Sequence, residues 1–157
     1  MLFLPLLWTS FSLHAQLNQV SLDVGRSAFD RLRVINQTSL SYTRSISRNE
    51  RHLLEGGLNI LQLENEGGAL AYLLYRYRFD YSPKWDFSAG LGYNQAIGGG
   101  GLIPLTTTMR YNLTQHTSLR LRALGIVSFG EPPILMIPSL GLSYRWPKKE
   151  AKEEVQP

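Results

Sequence analysis

Three histidines, His14, His52 and His116, are the residues on which nucleophilic or metal chemistry would have to be built, because the chain contains no cysteine. A serine nucleophile needs an imidazole within reach of its hydroxyl. His14 lies in an N-terminal segment that reads as removable, while His52 and His116 lie beside or within short turns. None has a serine two residues away on the same strand face near the rim opposite those turns. A metal site is no better supplied, since the histidines are isolated and Glu64 and Glu66 stand in a loop where solvation accounts for them. The run Gly98-Gly99-Gly100-Gly101 lacks the Lys-Ser/Thr and the following helix that a phosphate loop requires. No catalytic, cofactor-binding or metal-ligating residue is therefore expected, and the chain does not read as an enzyme. The chemistry left is ion pairing. Arg76, Arg78, Arg110, Arg120, Arg122 and Arg145 alternate along the chain with apolar residues, and Asp23, Glu55, Asp80 and Asp86 can partner them.

These charges sit in segments of period two, the signature of strands with one apolar face. The last of them is Pro138-Ser139-Leu140-Gly141-Leu142-Ser143-Tyr144-Arg145-Trp146, with Leu140, Leu142, Tyr144 and Trp146 on one face. Val20, Leu22 and Val24 alternate in the same way with Ser21, Asp23 and Gly25, making the first strand. Arg26 to Gln37 breaks the pattern and is expected to be the longest loop, with room for a helical turn. Further strands are predicted over Thr38–Ile46, His52–Leu63, Ala69–Asp80, Trp85–Asn94, Leu102–Leu113, Ser118–Val127 and Ile134–Trp146. From Leu124 to Val127 both faces are apolar, which suggests a bulge or a dry plug.

At 157 residues the chain has room for one domain. Twelve of its sixteen cations are arginine and no lysine-rich run is present, so a nucleic-acid partner is not expected. Residues 1–15 read as a signal peptide cut after Ala15, with an apolar run from Leu2 to Trp8. Residues 16–146 form the barrel domain, and 147–157, with three lysines and three glutamates, a disordered polar tail. No run of about 18 apolar residues supplies a transmembrane helix, so a membrane could be crossed only by a closed sheet.

Eight alternating strands with short connections suit an antiparallel up-and-down barrel. The polar face is largely Gly, Ser, Thr and Asn with interspersed arginine, as at Ser88-Gly90-Gly92, which suits a narrow packed interior better than a water-facing surface. The charges on that face form a predicted interior network. Tyr77, Phe79, Trp85, Phe87, Tyr111, Tyr144 and Trp146 gather at the strand ends nearest the short turns, as an aromatic girdle at one interface would. Tyr72, Tyr93 and Phe129 are placed at the opposite rim. The expected class is all-β, an eight-stranded antiparallel up-and-down transmembrane barrel. The alternative is a secreted soluble lipocalin-like barrel with the apolar face around a ligand.

On Leu140, Leu142, Tyr144 and Trp146 the chain resembles the small eight-stranded outer-membrane β-barrel proteins of Gram-negative bacteria, over nearly all of the mature length. The resemblance implies that these residues are the assembly signal read by the barrel-assembly machinery during insertion. It also implies an outer-membrane monomer with outer-membrane lipid as its surroundings. Members often end at the aromatic, whereas eleven residues follow Trp146. Some barrels of this kind are lipid A or phospholipid enzymes, but the histidines do not carry that over. The function expected is a structural or surface-interaction role with no open pore and no cofactor.

Overall fold

A computed structural model describes residues 17–29, 33–47, 49–62, 67–96, 101–127 and 134–146. The predicted signal peptide, the tetraglycine up to Gly100, the turn at 130–133 and the tail lie outside the described residues. Eight strands follow one another as β1 (Asn18–Phe29), β2 (Arg33–Ser45), β3 (His52–Gln62), β4 (Gly67–Tyr81), β5 (Trp85–Ala96), β6 (Gly101–Asn112), β7 (Thr117–Val127) and β8 (Ile134–Trp146). Every neighbouring pair is antiparallel, and β8 pairs with β1 to close the barrel. The seam pairs Asn18–Gly25 with Ser139–Trp146, so the sheet presents no open edge strand over that span, as a sheet immersed in hydrocarbon requires.

Starting at Asn18 and following directly paired residues round the barrel leads through Arg44, Leu54, Tyr75, Leu91, Leu105 and Gly125 to Met136. Met136 stands ten residues up β8 from Trp146, the partner of Asn18. This stagger tilts the strands by roughly 40°, and eight strands leave a lumen just wide enough for side chains.

The two faces divide as period two dictates. Leu22 and Leu142 are 53% and 55% exposed on the outer wall, whereas Glu55 and Arg120, on inward positions, are fully covered. The outer wall is apolar from Tyr42, Tyr75 and Leu119 up to Val24, Ile60 and Tyr93, and above it the outward positions turn polar at Arg26, Asn36, Gln62 and Gln95. That polar change explains a difference from the sequence expectation. Arg26 to Gln37 is not a long loop; β1 continues to Phe29 and β2 already begins at Arg33. The strands rise past the apolar band there, so the alternation that marks them is lost. A second difference concerns Tyr72, which points inward and is buried on the face of Arg76 and Arg78 instead of joining an outer rim. From the apolar stretch near the end of β7, Leu124 turns into the lumen and clusters with Leu70, and Leu61 and Leu102 pack against the pair.

The inward glycines admit the large charged side chains. A Cβ on Gly90 would collide with Arg76 and Thr106, one on Gly57 with Tyr72 and the Leu40 carbonyl, and one on Gly141 with Asp23 and the Leu22 carbonyl. Gly141 sits on the β1–β8 seam, opposite Asp23. Gly141→Ala is therefore expected to destabilise the barrel by about 1–3 kcal/mol. Gly68→Ala, where an added Cβ meets open space, is expected to stay within about 0.5 kcal/mol of the parent. Urea titration of protein folded into vesicles, followed by the mobility of the unboiled band, measures both.

Candidate functional site

The lumen holds the charged chemistry. Arg76, Arg78, Arg110, Arg120 and Arg122 point inward with at most 1% exposure, alongside fully covered Asp23, Glu55 and Asp86. Each comes from a strand whose outward neighbours are apolar, so the pleat that sends Leu54, Tyr75 and Leu121 outward sends Glu55, Arg76 and Arg120 or Arg122 inward. An unpaired guanidinium here would carry a large desolvation cost, so the partners decide whether the arrangement stands.

Glu55 is the hub of the first cluster. Arg120 Nη2 donates to both of its carboxylate oxygens, at 2.9 and 3.0 Å, in a contact between β7 and β3, which stand on opposite walls. Arg76, from the adjacent β4, donates to Glu55 Oε2 and to the Ser88 hydroxyl. Tyr72 Oη donates to Glu55 Oε1 at 3.1 Å, and Thr43 Oγ1 to Oε2 at 3.2 Å. Arg122 Nη1 donates to Tyr72 Oη at 3.1 Å, and its guanidinium lies 5.0 Å from the Tyr72 ring centre. Asp23 stands 3.5 Å from Arg120 and 3.7 Å from Arg122, at ion-pair distance. Five charged residues from β1, β3, β4 and β7 are thus drawn together across the bore.

A second cluster lies nearer the short turns. Arg110 Nε donates to Asp86 Oδ1 at 2.8 Å and its Nη1 donates to Gln19. Arg78 Nε is 4.0 Å from the same carboxylate oxygen, and its Nη1 is 3.4 Å from Glu50 in the Ser47–Arg51 turn. Arg145 lies on the inward face of β8 but is only half-buried at the rim and joins neither cluster. Asp80 is in β4 just beyond a register shift at Arg78/Asp80, and its side chain is outside the described set.

Sequence reasoning did not place Tyr72, Gln19, Ser41, Thr43 or Glu50 among these contacts. For Tyr72 the signal was available in parity, since 72, 76 and 78 share one face. For the hydroxyls it was not, because Ser41 meets Arg120 at 3.0 Å only through closure of the barrel.

The aromatic residues near the turns pair along the outer wall. Trp85 and Tyr111 have ring centres 4.5 Å apart, Tyr144 and Trp146 5.6 Å, and His52 and Tyr77 5.3 Å. Phe79 and Phe87 stand on the same wall, as do Leu140 and Leu142. His52 Nδ1 bonds Tyr75 Oη, and the His116 ring lies tilted beside Tyr144 with ring centres 6.2 Å apart, so each neighbours an aromatic partner. Among the described residues no group of three or more His, Cys, Asp or Glu could hold a metal ion.

Removing the hub's charge leaves three guanidinia facing a neutral amide. Glu55→Gln is expected to lower the unfolding free energy by about 3–5 kcal/mol. The double change Glu55→Gln with Arg76→Met is expected to cost less than Glu55→Gln alone, because one of the guanidinia left without a carboxylate is removed with it. Urea unfolding of the two variants in the same vesicles checks the order.

No protein-family model matches the chain, and no curated protein matches it. Among solved structures, a de novo designed transmembrane β-barrel aligns with a TM-score of 0.62 at 11% identity, covering 83% of this chain and 96% of that one. The de novo designed TMB2.3, solved by solution NMR, aligns at 0.58 and 12% identity over 93% and 99% of the two chains. The N-terminal β-barrel domain of Pseudomonas aeruginosa OprF aligns at 0.59 and 14% identity, over 85% of this chain and all of that domain, 100%. At these identities the likeness is one of fold, and the fold is that of the eight-stranded transmembrane β-barrels.

Proposed function

We propose that the chain is a monomeric integral outer-membrane β-barrel of a Gram-negative bacterium, with a structural or surface-interaction role, no catalytic activity and no open pore. The observation that carries this is the inversion of its two faces: leucines, tyrosines and tryptophans cover the outside while arginines and carboxylates are buried within. Water cannot be the solvent of such a wall, and hydrocarbon can. The same inversion weighs against a soluble lipocalin-like barrel, whose cavity would need apolar walls where this lumen has Arg76, Arg120 and Glu55. The closed pore rests on the contacts that cross the bore between β3 and β7. On this proposal the signal peptide is removed after Ala15, and Leu140, Leu142, Tyr144 and Trp146 on β8 are presented to the barrel-assembly machinery.

Expressed in a Gram-negative host, the protein should partition with the outer membrane and migrate faster unboiled than boiled in SDS. Recovery in the soluble periplasm would overturn the proposal. In planar bilayers the purified protein should give no porin-sized conductance steps. Trp146→Ser should reduce the folded outer-membrane yield in cells while leaving spontaneous refolding into short-chain vesicles nearly unchanged; equal loss in both settings would show that Trp146 serves packing alone.

A further inference from the structure

The Glu55 cluster is not neutral. The guanidinia of Arg76, Arg120 and Arg122 face the carboxylates of Glu55 and Asp23, and all of these side chains are at most 1% exposed. Among the described residues one positive charge is left over. The second cluster does not offset it, because Arg78 and Arg110 there already face Asp86 and Glu50.

The contacts locate the surplus at Arg122. Arg76 and Arg120 each donate hydrogen bonds to Glu55. Arg122 donates instead to neutral hydroxyls, Tyr72 Oη at 3.1 Å and Ser39 Oγ at 3.4 Å, and stands 3.5 Å from Glu55 and 3.7 Å from Asp23. All of these contacts are made by Nη1. Nε and Nη2 form the guanidinium edge that can hold an anion with two parallel N–H bonds. Both are buried, and neither has a hydrogen-bond partner among the described residues.

Two hydroxyls next to Arg122 in the sheet are in the same state. Thr108 on β6 is paired directly with Arg122 on β7, and Thr106 is the next inward residue toward the loop end. Both are covered, and neither Oγ1 has a hydrogen-bond partner among the described residues. Beyond Arg122 on the same strand, fully covered Leu124 packs with Leu70, so an apolar layer lies between this region and the loop end. A charge left uncompensated beneath such a layer is costly.

We propose that the Nε–Nη2 edge of Arg122, with the hydroxyls of Thr108 and Thr106, is a binding site inside the lumen for one small monovalent inorganic anion, chloride. Every group left over there can donate a hydrogen bond. A water molecule takes those hydrogen bonds without taking the charge, whereas chloride takes both. Glu55 and Asp23 approach through Nη1, so at the other edge the guanidinium stands between them and the anion. A bore of eight strands filled by side chains excludes a bulky organic anion. The site depends on the closed lumen and not on which membrane surrounds it.

The test refolds the mature chain into zwitterionic vesicles in chloride or in gluconate at equal ionic strength, with the faster unboiled band confirming folding. In urea titrations the barrel should be more resistant in chloride, and near saturation each tenfold rise in chloride should raise the folded-to-unfolded ratio about tenfold. Arg122→Gln, which removes the surplus charge, should abolish this dependence. Thr108→Val, which keeps the side-chain shape and the charges, should weaken it and remains informative if Arg122→Gln does not fold. Thr107→Val, on the exposed face of the same strand, should leave it unchanged. In crystals grown with bromide, an anomalous peak should lie against Arg122 Nε and Nη2. Equal stability in chloride and gluconate overturns the site, as does a dependence that survives Arg122→Gln or is undiminished by Thr108→Val. Water alone at that edge in the bromide crystals overturns it as well.

Discussion

A buried guanidinium has to be paired, and in this barrel that requirement organises everything inside the wall. Among the described residues the lumen contains five covered arginines and three covered carboxylates. Pairing one to one is arithmetically impossible, so the carboxylates are shared. Glu55 receives Arg76 and Arg120 through hydrogen bonds and Arg122 both at an ion-pair distance of 3.5 Å and through Tyr72, while Asp86 lies between Arg110 and Arg78. Asp86 is shared between neighbouring strands, but the Glu55 cluster needs side chains from opposite walls to meet, which holds only in a narrow bore. Narrowness in turn demands residues without bulk beside the arginines, and Gly57, Gly90 and Gly141 provide the space. Serines of the same face take up guanidinium hydrogens that no carboxylate reaches, as Ser41 does for Arg120 and Ser88 for Arg76.

The strands were legible because two solvents of opposite character act on alternate residues. Where both act, the alternation is strong, and β8 was read from Ile134 to Trp146 with the bounds it has. Above the apolar band neither face keeps one character, with Ile35 buried beside Gln37 on the inside and Arg26 and Asn36 exposed outside, so the distinction disappears. That is why Arg26 to Phe29 and Arg33 to Gln37 resembled a loop although they are paired residue for residue. Tyr72 shows the converse error: an aromatic residue suggests the interface by type, yet its parity with Arg76 sets it inside, where its hydroxyl is needed.

The pairing itself was beyond what the chain could reveal. Parity sends Glu55, Arg76 and Arg120 to one face, but which carboxylate meets which arginine depends on closure and stagger. Arg120 meets a glutamate 65 positions away because β3 and β7 oppose one another in an eight-stranded ring. A different stagger would bring the same residues past each other at other heights.

Interior and exterior therefore carry different obligations. Inside, each change of charge alters several partners at once, so the network is strongly coupled and poorly suited to variation. Outside, lipid chains conform to whatever shape the wall presents, and exchanging one apolar side chain for another costs little. Stability is therefore concentrated in the lumen, and the apolar outer wall is left free to vary in shape.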